Sequence, residues 1–457
     1  MRTKKSFYNL VSQLMETILP SFFAIVLNNL IITNFGSDVN GVVATFSQIL
    51  MVLTLAEGGL GLASNVTLYN PFLNNKHEEI NSILTASHLI YRKDGIGIIL
   101  VSIGISIVIP FIIQTELDHI TVSVLFLILS TNLAIQFLVT AKYKIMFSVA
   151  QKEYMLSIQG TILHIVAQVT AILIVINGGS ILTVKAISFL IGLFQVPVLI
   201  LLFKKNFPLN NFKSKKPNYS ILKTTKDVLF QRISYLVFTN TDIIVISIFI
   251  STMSASVYAV YSLIFSFIRR SLLAIISAPF NAFGQIATIS DKNQLYAVYQ
   301  VFQFSAIIVT TILLTTTNVL LIPFIKLYTK GVTDINYINY TFGVLFSVYI
   351  FLEIISNVIA LLANSSGMFS DMKISSTIGA ILNIAFTLIL VQFFSINGVV
   401  LGTIIGYLVM IIMQTRLVHI TILGQGLSKF ISLVVQNVFF AMLLFSVSLL
   451  IKIEIFS

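Results

Sequence analysis

The chain has 457 residues, 57% of them hydrophobic and 9% charged, with a mean hydropathy of +0.99. Soluble domains carry roughly 25% charged residues, so this composition excludes an ordinary soluble fold. Stretches of about 20 apolar residues, the length a bilayer span requires, recur along the whole sequence. With no cysteine, disulfides, thiolate metal sites and cysteine nucleophiles are excluded. The formal net charge of +11 is concentrated in alternate loops, a pattern that reports membrane topology and not a nucleic-acid partner.

The basic start Met1-Arg2-Thr3-Lys4-Lys5 leads into a span too long for a cleavable signal and is expected to stay as an anchor. Spans are expected at 8–33, 41–67, 95–114, 120–141, 155–176, 181–203, 228–250, 255–279, 298–324, 338–363, 374–394, 398–418 and 431–451. All are expected to be helices, because barrel strands would read as ten-residue alternating segments. The fold class is therefore an all-α polytopic membrane protein: two six-helix lobes, here 1–203 and 228–423, with a thirteenth helix within 424–457.

With the N-terminus in the cytoplasm, 20 of the 27 basic residues fall on inner segments, including seven lysines between Lys204 and Lys226. Lys185, Lys326, Lys330 and Lys452 are left outside, so the positive-inside rule supports this orientation. Between the lobes, 204–227 is the longest polar stretch and reads as a cytoplasmic linker. A weak repeat links the halves, since ILHI at Ile162–Ile165 recurs as ILNI at Ile381–Ile384, each ahead of an outer Asn-Gly turn at Asn177 or Asn397. His77–Lys93 has Ile80, Ile83, Leu84 and Tyr91 at helical spacing, which suits either an interfacial helix or an extension of the third span. Gly398, Gly402 and Gly406 form a double GxxxG face for close helix packing.

Charged side chains within spans cost about 2.5–3.5 kcal/mol at a helix centre and so mark cavities or partners. Glu16 lies in span one, Glu57 in two, Arg232 and Asp242 in seven, Arg269 and Arg270 in eight, and Glu353 in ten. Arg269 is about 20 Å from the outer end of its span and Glu57 about 24 Å from the outer end of its own. The two arginines either converge on a large anion, with Arg269 the deeper contact, or snorkel inward or pair with Glu57 or Glu353. Glu16 has a cavity role or pairs with Arg232. Asp242 is a cation or proton site or a neutral hydrogen-bonded group. Glu57, followed by glycines, is structural or functional, and His164 reads as a hydrogen-bonded core residue. HExxH, P-loop and dinucleotide signatures are absent from the sequence, so no enzyme activity, cofactor or metal is expected.

The stretch Phe35–Pro71, FGSDVNGVVATFSQILMVLTLAEGGLGLASNVTLYNP, and the stretch Asn364–Thr403, with NSSGMFSDMK, ILNI and INGVVLGT, carry a family likeness. On them the sequence resembles the Wzx-type polysaccharide repeat-unit flippases of the MOP exporter superfamily. The resemblance implies two lobes around a central cavity lined by spans one, two, seven and eight, and alternating access of a sugar-linked pyrophosphate with its polyprenyl tail in lipid. It also implies Arg269, Arg270 and Arg232 as headgroup contacts, the bacterial plasma membrane as location, and a polymerase and glycosyltransferases as partners. A drug or cation antiporter of the same superfamily would want an acidic cavity with few arginines. A membrane-embedded polysaccharide polymerase would want a sizeable catalytic outer loop.

Overall fold

The computed structural model describes residues 2–219 and 233–424, save positions 235, 237, 278 and 290. No strand occurs among the described residues, and nine helices are long and apolar enough to cross a bilayer. The protein is thus an all-α polytopic membrane protein, as its composition requires. The thirteenth span, the start of the seventh and the side chain of Arg232 lie outside the described residues.

The chain divides into two compact units, the first formed by 1–233 with 251–253 and the second by 234–250 with 254–457. In the first unit, α1 (Arg2–Leu53) is broken at Gly36, whose φ of 86° and ψ of 168° only glycine adopts without strain. This one residue serves as the turn between the first two expected spans. After a short 3-10 turn, Gly58 and Gly59 have φ of 54° and 77° and lead into α2 (Leu60–Leu73). Then follow α3 (His77–Val108), α4 (His119–Ile135), α5 (Ala141–Val149), α6 (Glu153–Ile176), α7 (Ile181–Leu193) and α8 (Gln195–Asn206). A π-turn at Gln136–Thr140 joins α4 to α5, so the fourth span continues to Val149 and carries Lys144 on its helix.

The interfacial alternative for His77–Lys93 is not realised. The segment is the first half of α3, and Ile80, Ile83, Leu84 and Tyr91 are buried in a core shared with Phe137, Ile145, Met146, Phe147, Phe203 and Phe207. Nor is the linker wholly free. Asn211 N and Ser214 N donate to Asn81 Oδ1 and Thr85 Oγ1 at 2.9 and 3.0 Å, and Phe212 packs on Tyr143 and Phe203, so 207–218 docks on α3. The apolar spacing seen in the sequence faces protein and not lipid.

The second unit contains α9 (Asp242–Phe249), most of α10 (Thr252–Ser277), α11 (Phe280–Ile289), α12 (Lys292–Tyr328), α13 (Tyr340–Ser365) and α14 (Phe369–Leu417). An aromatic ladder holds α10 to α13, with Tyr261 on Phe342 at 4.8 Å, Tyr258 on Phe346 at 5.2 Å and Phe265 on Phe346 at 5.0 Å. α14 is a helical hairpin broken at Ser395, where φ is 53° and ψ −136°. Its two arms meet where the sequence places the glycine face. A Cβ at Gly398 would strike the backbone of Leu390, one at Gly402 the backbone of Thr387, and one at Gly406 would lie 2.9 Å from Gly379 O. The absence of side chains brings the arms to this distance.

Candidate functional site

In the first unit the membrane helices leave a cavity of about 660 Å³. Polar side chains come from Glu16 on α1, Glu57 in the 3-10 turn, Asn65 on α2, Tyr91 on α3, Gln136 in the π-turn, Lys144 and Ser148 on α5, Glu153 on α6 and Gln195 on α8, and apolar ones from Phe137, Ala141, Ile145 and Leu156. Two glycines make room for the carboxylates. A Cβ at Gly61 would come within 2.8 Å of Glu57 Oε1, and one at Gly160 within 2.9 Å of Glu16 Oε1. Tyr91 Oη donates to Glu57 Oε1 at 3.3 Å, and Asn65 Nδ2 donates to Ser148 Oγ at 3.0 Å. The Lys144 ammonium interacts electrostatically with both Glu16 and Glu57. Three carboxylates and one ammonium leave the cavity formally negative, with amides and hydroxyls between the charges. Such a wall can hydrogen-bond a polyhydroxylated headgroup or hold a cation.

Glu16 and Glu57 are therefore brought together on one cavity. Sequence reasoning passed over Lys144, Glu153, Tyr91 and Asn65. Lys144 was counted with the inner loop because the fourth span was expected to end at 141. The signal available was the unbroken helical pattern through Val149.

Arg269, Glu353, Arg270 and Asp242 belong to the second unit, while Arg232 lies outside the described residues. Arg269 on α10 meets Glu353 on α13 in a bidentate pair, Nε to Oε2 at 2.6 Å and Nη2 to Oε1 at 2.5 Å. The deep guanidinium thus has an anion supplied by the protein itself, the pairing alternative of the sequence reading. Arg270, 100° round the same helix, is exposed. Asp242, at the first turn of α9, is buried and accepts from Tyr258 Oη at 2.7 Å and from Thr403 Oγ1 at 3.1 Å. Asn383 donates to Thr403 Oγ1 at 2.8 Å, while its own Oδ1 is buried without a donor. Among the described residues no cluster of three or more His, Asp or Glu side chains is placed to hold a metal ion.

No family model and no curated protein matches the chain by sequence. Several solved structures match it in fold. The lipid II flippase MurJ, in an inward closed conformation, superposes with a TM-score of 0.73 at 13% identity, over 97% of this chain and 96% of that one. A multidrug resistance MATE family transporter of the MOP superfamily, inward-facing, gives 0.70 at 12% identity over 91% and 98%. A MOP superfamily transporter from Pyrococcus furiosus, reported with a binding pocket of reverse polarity, gives 0.62 at 12% identity over 93% and 97%. The chain shares its fold with these transporters.

Proposed function

We propose that this protein is an alternating-access flippase that carries polyprenyl-pyrophosphate-linked oligosaccharide repeat units from the inner to the outer leaflet of a bacterial plasma membrane. The observation that carries this reading is the polar cavity of the first unit. Glu16, Glu57, Glu153, Asn65, Gln136 and Gln195 line it, a density of hydrogen-bonding groups that matches sugar hydroxyls better than a greasy drug. A lipid flippase of the same fold, covering 97% of this chain, adds support. In this reading alternating access carries the sugar headgroup across while the prenyl tail stays in lipid. The exposed Arg270 is the pyrophosphate contact of choice, with Arg232 beside it in sequence reasoning, and Arg269 serves first as the partner of Glu353. The N-terminus and the lysine-rich linker face the cytoplasm, and a polymerase and glycosyltransferases act on either side of the transport step.

A second reading, a cation antiporter, is favoured by the carboxylate excess around Lys144. Depletion separates the two. In cells depleted of the protein, lipid-linked oligosaccharide should accumulate on the inner leaflet, and Glu57→Gln should fail to relieve it while leaving protein in the membrane. Unchanged oligosaccharide pools, together with ethidium efflux that rises and falls with expression, would overturn the flippase and establish the antiporter.

A further inference from the structure

A second cavity of about 260 Å³ lies in the first unit between α4, α6 and α7. It shares Gln195 with the polar cavity, yet its character is the reverse. None of its lining residues is acidic, and Lys185, His164, Asn132 and Gln168 supply its polar side chains together with Ser188 and Gln195. Apolar walls are provided by Ile128, Leu129, Leu163, Ala167 and Phe189.

Lys185, counted on the outer side and near the outer end of the span expected at 181–203, sits four residues inside α7, about 6 Å along the helix. No ion pair or hydrogen bond to its ammonium occurs among the described residues, and none to the side chains of His164 or Asn132. His164 is half-turned from the core and exposed, contrary to the hydrogen-bonded core residue expected of it. Gln168 Oε1 is buried without a donor. Ser188 is spent on its own helix, donating to Val184 O at 2.8 Å. A cation and two further nitrogen donors thus line a membrane-depth space that has no carboxylate among its lining residues. Unpaired charge is retained at such depth when a partner arrives from outside the protein.

We infer that this cavity is a binding site for a phosphate-type oxyanion. Lys185 supplies the charge, His164 and Asn132 donate hydrogen bonds to the non-bridging oxygens, and the Gln168 amide meets the ligand with its oxygen on a P–OH or, turned over, with its NH2. The volume lies just under the range of about 300–1,000 Å³ typical of drug-sized pockets, so it admits a phosphate group and not an oligosaccharide. The lining runs from Lys185 to Gln195, about 15 Å along the helix, and its apolar side fits a hydrocarbon continuing from a phosphate ester. A bilayer phospholipid and a diffusible phosphate or pyrophosphate share the chemistry, and the test separates them.

The full-length protein in non-ionic detergent is heated with sodium pyrophosphate against sodium chloride of equal ionic strength, and separately with phosphatidylglycerol against phosphatidylcholine. Wild type is compared with Lys185→Gln and His164→Gln. Stabilisation of wild type is expected, with the half-saturating concentration raised about tenfold in Lys185→Gln, as loss of a charge-assisted hydrogen bond implies. Without ligand, Lys185→Gln should unfold no earlier than wild type, because the removed charge had no partner. A response to phosphatidylglycerol alone identifies a bilayer lipid, and one to pyrophosphate identifies a diffusible or substrate-borne group. Equal responses in wild type and both variants, or no response in either arm, would overturn the site. The proposed flippase activity would stand in that case, since its readout is the leaflet distribution of oligosaccharide.

Discussion

Arg269→Ala removes the guanidinium from a carboxylate that keeps 1% of its side-chain exposure, while Arg269 itself keeps 15%. Breaking a buried pair by removing one partner costs about 3–5 kcal/mol, because the remaining charge loses its compensation in a low-dielectric site. Glu353 has no route to solvent, so Arg269→Ala should fall at the upper end. Glu353→Gln leaves the more exposed guanidinium and an amide oxygen to meet it, so it should fall at or below the lower end. For units of about 150–250 residues, 1 kcal/mol moves Tm by about 2–4 °C, so Arg269→Ala should unfold about 10–20 °C early. Apolar replacement of a buried pair is often neutral or stabilising, so Arg269→Met with Glu353→Leu should recover most of the loss. The chain has no tryptophan, so the measurement is size-exclusion of a fluorescent fusion after heating in detergent. A normal Tm for Arg269→Ala, or a double variant no better than the single, would refute the pairing argument. Flux then gives the second half of the answer. A stable double variant that transports means Arg269 acts only through Glu353, and a stable but silent one means the guanidinium also meets the substrate.

Further outcomes are expected from close packing, a buried hydrogen bond and the proposed topology. Gly402→Ala should drive a methyl into the backbone of Thr387 across the hairpin of α14, costing about 1–3 kcal/mol or more. Gly97→Ala and Gly104→Ala, where nothing lies within 4 Å, should be neutral or slightly stabilising in the same assay. Tyr258→Phe should cost about 1–3 kcal/mol by withdrawing one of the two hydroxyl donors from the buried Asp242, and unchanged thermal stability would contradict the assigned bond. Lys213→Cys, an exposed position in a chain without cysteine, should react with an impermeant thiol reagent only after cells are opened, and labelling of intact cells would invert the proposed topology.

Composition and periodicity determine much of this protein without its structure. A helix that must satisfy its backbone in lipid has one solution, so long apolar runs translate directly into helices, and the glycine spacing of 398, 402 and 406 translates into a close helix contact. Glu16 and Glu57 were legible as candidates because an intramembrane carboxylate needs a polar neighbour, though the sequence left a cavity role and a structural pairing both open. Which neighbour it finds is a matter of tertiary structure. Glu353 lies 84 residues from Arg269, and Thr403 lies 161 from Asp242, separations that no local pattern records. Lys144 and Lys185 show the same limit from the other side. Charge counting places Lys144 in the inner loop and Lys185 on the outer side, but the fourth helix continues to Val149 and Lys185 sits inside α7, and the surroundings decide whether either is paired. Lys144 shares its cavity with Glu16, Glu57 and Glu153, and Lys185 shares its own with no carboxylate, because helix packing alone sets which side chains share a space.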